Sequence, residues 1–343
     1  MRVIKNTLYV TTPGSYLSLD GENVVISRDR DEVGRVPIHL LQGIIVFGYS
    51  SASPALMGKC AENSIEISFL TMHGRFLGRF SGEVKGNVLL RREQYRIADD
   101  AQRSLDIAKS FILGKLFNSR WVIERTARDY PMRADSEKLK KASEQIYNLM
   151  KQVENCPNDG VLRGIEGDAA SIYFQVFDEM ILRQKEDFKF SVRNKRPPLD
   201  PVNALLSFAY TLLAHEAAWA LSAVGLDPYV GFLHKDRPGR LSLGLDLMEE
   251  FRSVLADRFV LTLINKNQVK RGDFSYKENG AVYLNDNGRG EVLKLWQKKK
   301  AEAITHPFTK EKMQWGMVIF VQAQLLARYI RGDLDAYPPL MWK

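Results

Sequence analysis

The periodicity of the chain changes once, between residues 82 and 88, and that change limits the folds open to it. Before it, short β-favouring runs are separated by turn signals. Thr7-Leu8-Tyr9-Val10, Tyr16-Leu17-Ser18-Leu19 and Val24-Val25-Ile26 are punctuated by Pro13-Gly14 and Asp20-Gly21. Asp-Gly between alternating apolar residues is a hairpin signal. Val36 to Leu40, Ile44 to Phe47, Ile65 to Leu70 and Arg75-Phe76-Leu77 continue the pattern, with a short helix over Ala55 to Ala61. After Gly82 and Gly86, apolar residues recur at three and four spacing, as in Leu105, Ile107, Ala108, Phe111, Ile112 and Leu116. This pattern predicts helices over about 88–117, 120–130, 136–154, 160–184, 202–224, 241–265, 290–303 and 310–331. Residues 274–276 and 281–284 read as a small hairpin. The expected class is α+β, with a small β-rich N-terminal domain (residues 1–85, a sandwich or small barrel) and a large all-α domain (residues 86–343). A length of 343 residues suits two such domains.

The only cysteines are Cys60 and Cys156, with no paired-cysteine motif, which argues against a disulfide framework or a zinc knuckle and fits a reducing cytoplasm. The N-terminus lacks the apolar core of a signal peptide. Residues 203–226 are apolar, but His215 and Glu216 stand in their middle, so a buried helix is expected rather than a membrane span. No membrane partner is expected. Charge is unevenly shared. Residues 1–85 hold nine Lys and Arg against eight Asp and Glu, while the whole chain carries +8, so a bound polyanion belongs on the helical part.

Three segments carry candidate chemistry. In Gly231–Arg252 a loop with His234 leads through Pro238-Gly239 into a helix on which Asp246 and Glu249 share one face. Carboxylates with one imidazole suit Mn²⁺ or Mg²⁺; the alternative is a solvated acidic face paired with nearby Arg and Lys. In Gly164-Ile165-Glu166-Gly167, the two glycines suggest close approach of another backbone, and the alternative is a carboxylate serving the helix dipole. In Arg193–Phe208, three basic residues precede Pro197-Pro198 and a helix start, which suits phosphate contact as well as a plain surface loop. Tyr210, Trp219 and Phe208 read as core. There is no phosphate-binding glycine loop, H-E-x-x-H or G-x-S-x-G motif.

Taken in order, G-I-E-G-x-x-A, R-x-x-R-P-P-x-D-P-x-N-A-L-L-S-F-x-Y and G-x-x-H-x-x-x-x-G-R-x-S-L-x-x-D-L-x-E-x-F-R resemble CRISPR-associated protein one, the adaptation integrase and endonuclease. The resemblance runs over nearly the whole chain, and the N-terminal segment Asn6–Asn23 is similar to the branch found with type I-C systems. It implies that Glu166, His234 and Glu249 bind the divalent metal, Mn²⁺ or Mg²⁺, and that Asp246 is a further acidic residue of the catalytic site. It places Arg193, Lys195, Arg196, Arg237 and Arg240 along the DNA path. The implied reaction is a transesterification in which a 3′-hydroxyl of a short DNA fragment attacks a phosphodiester at the end of a CRISPR repeat. The implied partners are double-stranded DNA (prespacer and repeat), a second copy of the chain joined through the β-rich domain, and CRISPR-associated protein two. A non-catalytic DNA-binding scaffold is the alternative on charge alone, and a small-molecule phosphoesterase is a third option.

Overall fold

The structure, a computed structural model, describes residues 6–72, 76–82 and 88–343. The chain divides into two compact units, residues 1–86 with 284–302, and residues 87–283 with 303–343. The expected hinge, 81–88, lies largely outside the described residues, as does Arg75.

The first unit holds two four-stranded sheets around one core. Strands β1 (Asn6–Val10), β2 (Tyr16–Asp20), β3 (Asn23–Arg28), β4 (Asp31–Pro37), β5 (Leu41–Phe47), β6 (Ser51–Ala52), β7 (Glu66–Leu70) and β8 (Phe76–Phe80) are joined by one helix, α1 (Pro54–Glu62). One sheet runs β4-β3-β2-β6 and the other β1-β5-β7-β8. The Asp20-Gly21 signal marks the β2–β3 hairpin, where Gly21 takes φ +56°, a conformation glycine adopts without steric cost. Strands β1, β5 and β7 pair in parallel. Period-two alternation reports which face is buried and not which strand is the neighbour, so this pairing could not be read from the sequence. Leu17 and Val24 of one sheet and Val10, Ile44, Val46 and Ile67 of the other pack together with Leu56 and Cys60 of α1. Both cysteines are free and buried.

The sequence drew one boundary, near residue 85, and gave everything after it to the helical domain. In the structure the helix Asp286–Ala301 belongs to the first unit. Its Arg289, almost fully buried, donates to the Met72 carbonyl at 2.5 Å and pairs with Asp286 at 2.6 Å, and Gln297 donates to the Thr7 carbonyl. A linear boundary cannot show such a return.

The second unit is mainly helical, with α2 (Val88–Asp99), α3 (Ala101–Asp129), α4 (Ser136–Glu154), α5 (Asp159–Gln175), α6 (Pro201–Ala223), α7 (Ser242–Glu249), α8 (Arg258–Asn265) and, after the returning α9 (Asp286–Ala301), α10 (Trp315–Ile330). Phe274–Tyr276 pairs with Val282–Leu284, the expected hairpin, and Ala303–Thr305 pairs with Lys312–Gln314, which the helical reading of 290–303 and 310–331 omitted. The helices begin where side chains can satisfy their first amides. Asp100, Asp135, Asn158 and Asp200 each accept from an amide two or three residues on. The expected break between residues 117 and 120 does not occur. The break falls instead at Asp100, and α3 runs on through Asn118, whose buried amide donates to the carbonyls of Glu250 and Leu340 at 2.7 Å each. The expected helix 241–265 is divided into α7, a π-helical segment Arg252–Asp257, and α8. Helix α6 is long and apolar enough to cross a membrane, yet 72% of its most apolar window is buried within the fold, as expected for a core helix.

Candidate metal centre and nucleic-acid interface

Four elements of the helical unit meet at the candidate site. Helix α5 carries Glu166, α7 carries Asp246 and Glu249, the loop before α7 carries His234, and α3 carries Lys115, which the sequence reading did not single out. Helix α7 has no side-chain cap. Its first amides, at Leu243 and Gly244, donate to the Pro228 carbonyl at 3.0 and 3.2 Å. This fixes the start of α7 against the loop that holds His234.

Asp246 is fully buried and all of its acceptor capacity is used locally. The amides of Phe232 and Leu233 donate to Oδ2 at 2.7 and 3.0 Å, and the His234 amide donates to Oδ1 at 2.9 Å. The His234 ring reaches Oδ1 through Nδ1 at 2.7 Å. A carboxylate only accepts, so Nδ1 carries a proton, and in the neutral ring Nε2 keeps its lone pair. Asp246, expected among the catalytic acids, therefore shapes the loop and fixes the His234 tautomer. Arg163 adds a second hold, donating to the Leu233 carbonyl at 2.7 Å.

Gly231 explains how tightly the loop is seated. A Cβ there would lie 2.9 Å from each of Asp246 Oδ2, the His234 carbonyl oxygen and the Ser242 carbonyl carbon. Gly231→Ala should therefore push the loop off Asp246 and lower stability by about 2–3 kcal/mol, the usual cost of overpacking. Thermal unfolding of the variant would show it, and an unchanged melting temperature would contradict the packing argument. By contrast, a Cβ at Gly164 or Gly167 would meet no protein atom within 4 Å. No protein backbone stands close to those glycines in the described structure. They leave the ground around Glu166 open.

Glu249 is buried, which removes the alternative of a solvated acidic face; Glu250 beside it is buried too. Lys115 stands between the acids. Its ammonium pairs with Glu166 Oε1 and lies 3.0 Å from Glu249 Oε2, while Arg252 pairs with Glu249 Oε1 at 3.1 Å. Burial raises the Glu249 pKa, but Arg252, Lys115 and His234 outweigh it and hold the carboxyl at about 2. Two acids converging on one cation, beside an oriented imidazole, make a donor set of the type that holds a hard divalent ion. Among the described residues no three His, Cys, Asp or Glu side chains gather closely enough to hold an ion as they stand. Lys115 takes that place between Glu166 and Glu249.

A cavity of about 500 Å³ opens beside Glu166, lined by Lys115, Arg193, Lys195, Arg252, Tyr210 and Asp257 among others. Of the five basic residues expected on a DNA path, Arg193 and Lys195 line it. Arg196 and Arg237 are exposed on their loops, and Arg240 is half-buried. Arg193 is also a structural residue, donating to Asn203 Oδ1 at 2.7 Å and Ser207 Oγ at 3.1 Å. Tyr210, read from sequence as core, faces this cavity. The guanidiniums of Arg193 and Arg252 lie 5.4 and 4.9 Å from its ring centre, and its hydroxyl donates to Asp257 at 2.6 Å. Burial pushes the Asp257 carboxyl up to about 6, against the pull of Tyr210, Tyr173, Arg252 and Arg193. The missed residues had a signal. Lys115 and Arg252 are lone cations within otherwise apolar helical runs, Phe111–Leu116 and Phe251–Leu255.

Comparison with known proteins agrees with this architecture. The family model described as CRISPR associated protein Cas1 matches residues 8–298. The chain is 51% identical over 338 residues to a CRISPR-associated endonuclease Cas1 of Chlorobaculum tepidum, covering 98% of both chains. Its fold is similar to that of a casposase bound to integration product, with a TM-score of 0.84 and 24% identity, covering 98% of this chain and 94% of that one. It is also similar to a chain of a Cas6-RT-Cas1–Cas2 complex, with a TM-score of 0.82 and 22% identity, covering all of this chain and 36% of that one. Motif order, two-unit architecture and a family match over most of its length agree: the chain belongs to the Cas1 family.

Proposed function

We propose that the chain is a divalent-metal-dependent DNA endonuclease and integrase of CRISPR adaptation. The observation that carries the reading is the convergence of Glu166 and Glu249 on a single cation beside an open basic cavity. The Chlorobaculum relative named as an endonuclease and the casposase fold add support. Glu166, His234 through Nε2 and Glu249 would hold Mn²⁺ or Mg²⁺, which when bound supplies a Lewis acid for a phosphodiester and lowers the pKa of a hydroxyl or water. The residues of the chain do the rest. Asp246 keeps the His234 ring turned and its Nδ1 protonated. Arg193 and Lys195 offer cations to phosphate oxygens. Open ground around Gly164 and Gly167 lets a DNA backbone reach Glu166. In strand joining, the 3′-oxygen of the incoming fragment bonds to phosphorus, the repeat's own 3′-oxygen leaves, and the attacking hydroxyl's proton passes to it by way of solvent. One ester replaces another, so no ATP is consumed. Water in place of the 3′-hydroxyl gives hydrolysis.

The partners in this reading are double-stranded prespacer and repeat DNA, Cas2, and a second copy of the chain through the β-rich unit. The setting is the cytoplasm and the branch is that of type I-C systems. The test is joining of a labelled prespacer to a repeat-bearing plasmid, with and without Cas2. Wild type should join strands only with Mn²⁺ or Mg²⁺, and Glu166→Ala and His234→Ala should lose at least about 100-fold. If both variants joined at the wild-type rate, the assignment of these ligands would be wrong. Salt-sensitive DNA binding with no joining or cleavage at any metal concentration would point to a scaffold instead.

A further inference from the structure

Lys115 is a nearly buried ammonium placed by α3 between two acids. It pairs with Glu166 Oε1 and lies 3.0 Å from Glu249 Oε2. These are the side chains that the proposed function gives to a divalent cation, so the inference rests on that reading. With Arg252 on Glu249 Oε1, two carboxylates already face two cations, and the cluster is formally neutral. A divalent ion between the same acids would face an ammonium at contact range, where like charges repel strongly. The geometry points to Lys115 as an internal competitor of the metal. It holds the two carboxylates together, sets the metal affinity, and swings toward the neighbouring cavity when the ion binds.

The surroundings allow that movement. Lys115 itself lines the 500 Å³ cavity together with Arg193, Lys195 and Arg252. A lysine is a compact charge on a flexible four-carbon stem, so its ammonium can change partners without moving α3. A displaced ammonium beside three other cations is poised for a phosphate oxygen. Metal binding and phosphate binding would thereby favour each other: the ion releases the lysine, and the phosphate receives it. Arginine would serve less well, because its planar fork suits the fixed pairing of a carboxylate.

The test is Mn²⁺ binding to the full chain, followed by electron paramagnetic resonance of the unbound ion. Lys115→Met and Lys115→Gln should each bind Mn²⁺ about tenfold more tightly than wild type or better, since a like charge is gone. Both should join strands more slowly, because the cation for phosphate is gone too. A merely structural lysine would weaken metal binding and joining together. On the wild-type chain, reductive methylation mapped by mass spectrometry should find Lys115 protected alone and severalfold more reactive with Mg²⁺, which tests the movement even if a variant fails to fold. Unchanged or weaker Mn²⁺ binding in both variants, or no change in Lys115 reactivity, would overturn the inference while leaving the metal reading intact. A wild-type chain and variants that all take up no Mn²⁺ would overturn both.

Discussion

Asp246→Asn should slow DNA strand joining by about 10- to 100-fold or more, although it replaces no proposed metal ligand. An asparagine keeps the shape but presents an NH₂ where a carboxylate oxygen stood. On Oδ2 that group would face the amides of Phe232 and Leu233, and on Oδ1 it would face the amide and ring Nδ1 of His234. Donors would meet donors in either orientation. If the NH₂ turns to His234, the ring loses its reason to keep the proton on Nδ1, and Nε2 is no longer reliably unprotonated. If it turns the other way, two buried amides lose their acceptor, at roughly 1–3 kcal/mol each. The expected signature is therefore a lower melting temperature together with a steep loss of rate under single-turnover conditions. Mn²⁺ affinity should fall in parallel, since the imidazole is no longer oriented. A variant with wild-type melting and wild-type joining would mean that the Asp246–His234 bond does not govern the ring.

Glu250→Ala should destabilise the helical unit by about 3 kcal/mol or more and loosen the segment Tyr337–Trp342. Glu250 is fully buried and receives the Tyr337 hydroxyl at 2.6 Å, the Leu340 amide at 2.7 Å and the Gln322 side-chain amide at 2.8 Å. Removing it strands three donors. Gly114 allows the segment to lie this close, because a Cβ there would be 3.1 Å from Pro339 and from Glu250 itself. Limited proteolysis should cut the variant near residue 337 well before wild type, and equal protection would contradict the proposed hold. The same residue gives a pH dependence. Burial raises its carboxyl from 4.5 to about 7. A group whose pKa is raised on folding lends stability that is full below its unfolded value and is lost as pH rises through the folded one. Wild type should therefore be more stable at pH 5 than at pH 8, by at most about 3 kcal/mol from this residue, and Glu250→Ala should lack that share of the slope. The Tyr337 hydroxyl can rotate to accept from the protonated acid, so no donor need face another.

Much of this was legible in the chain. The change of period near residue 85 separates β from helix because strands and helices bury different repeats, and the three-residue spacing of Asp246 and Glu249 put both on one helix face, which the structure buries. Two kinds of information were not. Periodicity carries no record of partners, so the parallel pairing of β1, β5 and β7 and the return of α9 to the first unit had no sequence signature. Single residues whose role depends on a distant neighbour stood out in the sequence without showing what they meet. Lys115 meets its acids 51 and 134 positions later in the sequence. A lysine in an apolar helical run reads as a side chain stretching to solvent until those acids are placed beside it. Asp246 is the converse case: the sequence shows its place beside Glu249 but not that its oxygens are committed to the loop.

The hold on Glu250 also bears on when the site can exist. Synthesis runs from Glu166 through His234 to Glu249, and the last partners of Glu250 follow it by 87 and 90 positions. At 5–20 residues per second, roughly 4–18 s pass between them. Throughout that interval the nascent chain has both acids, the imidazole and Lys115, but nothing to close over the end of α7. Under the proposed function, the site would therefore become competent only when the segment around Leu340 has emerged and docked.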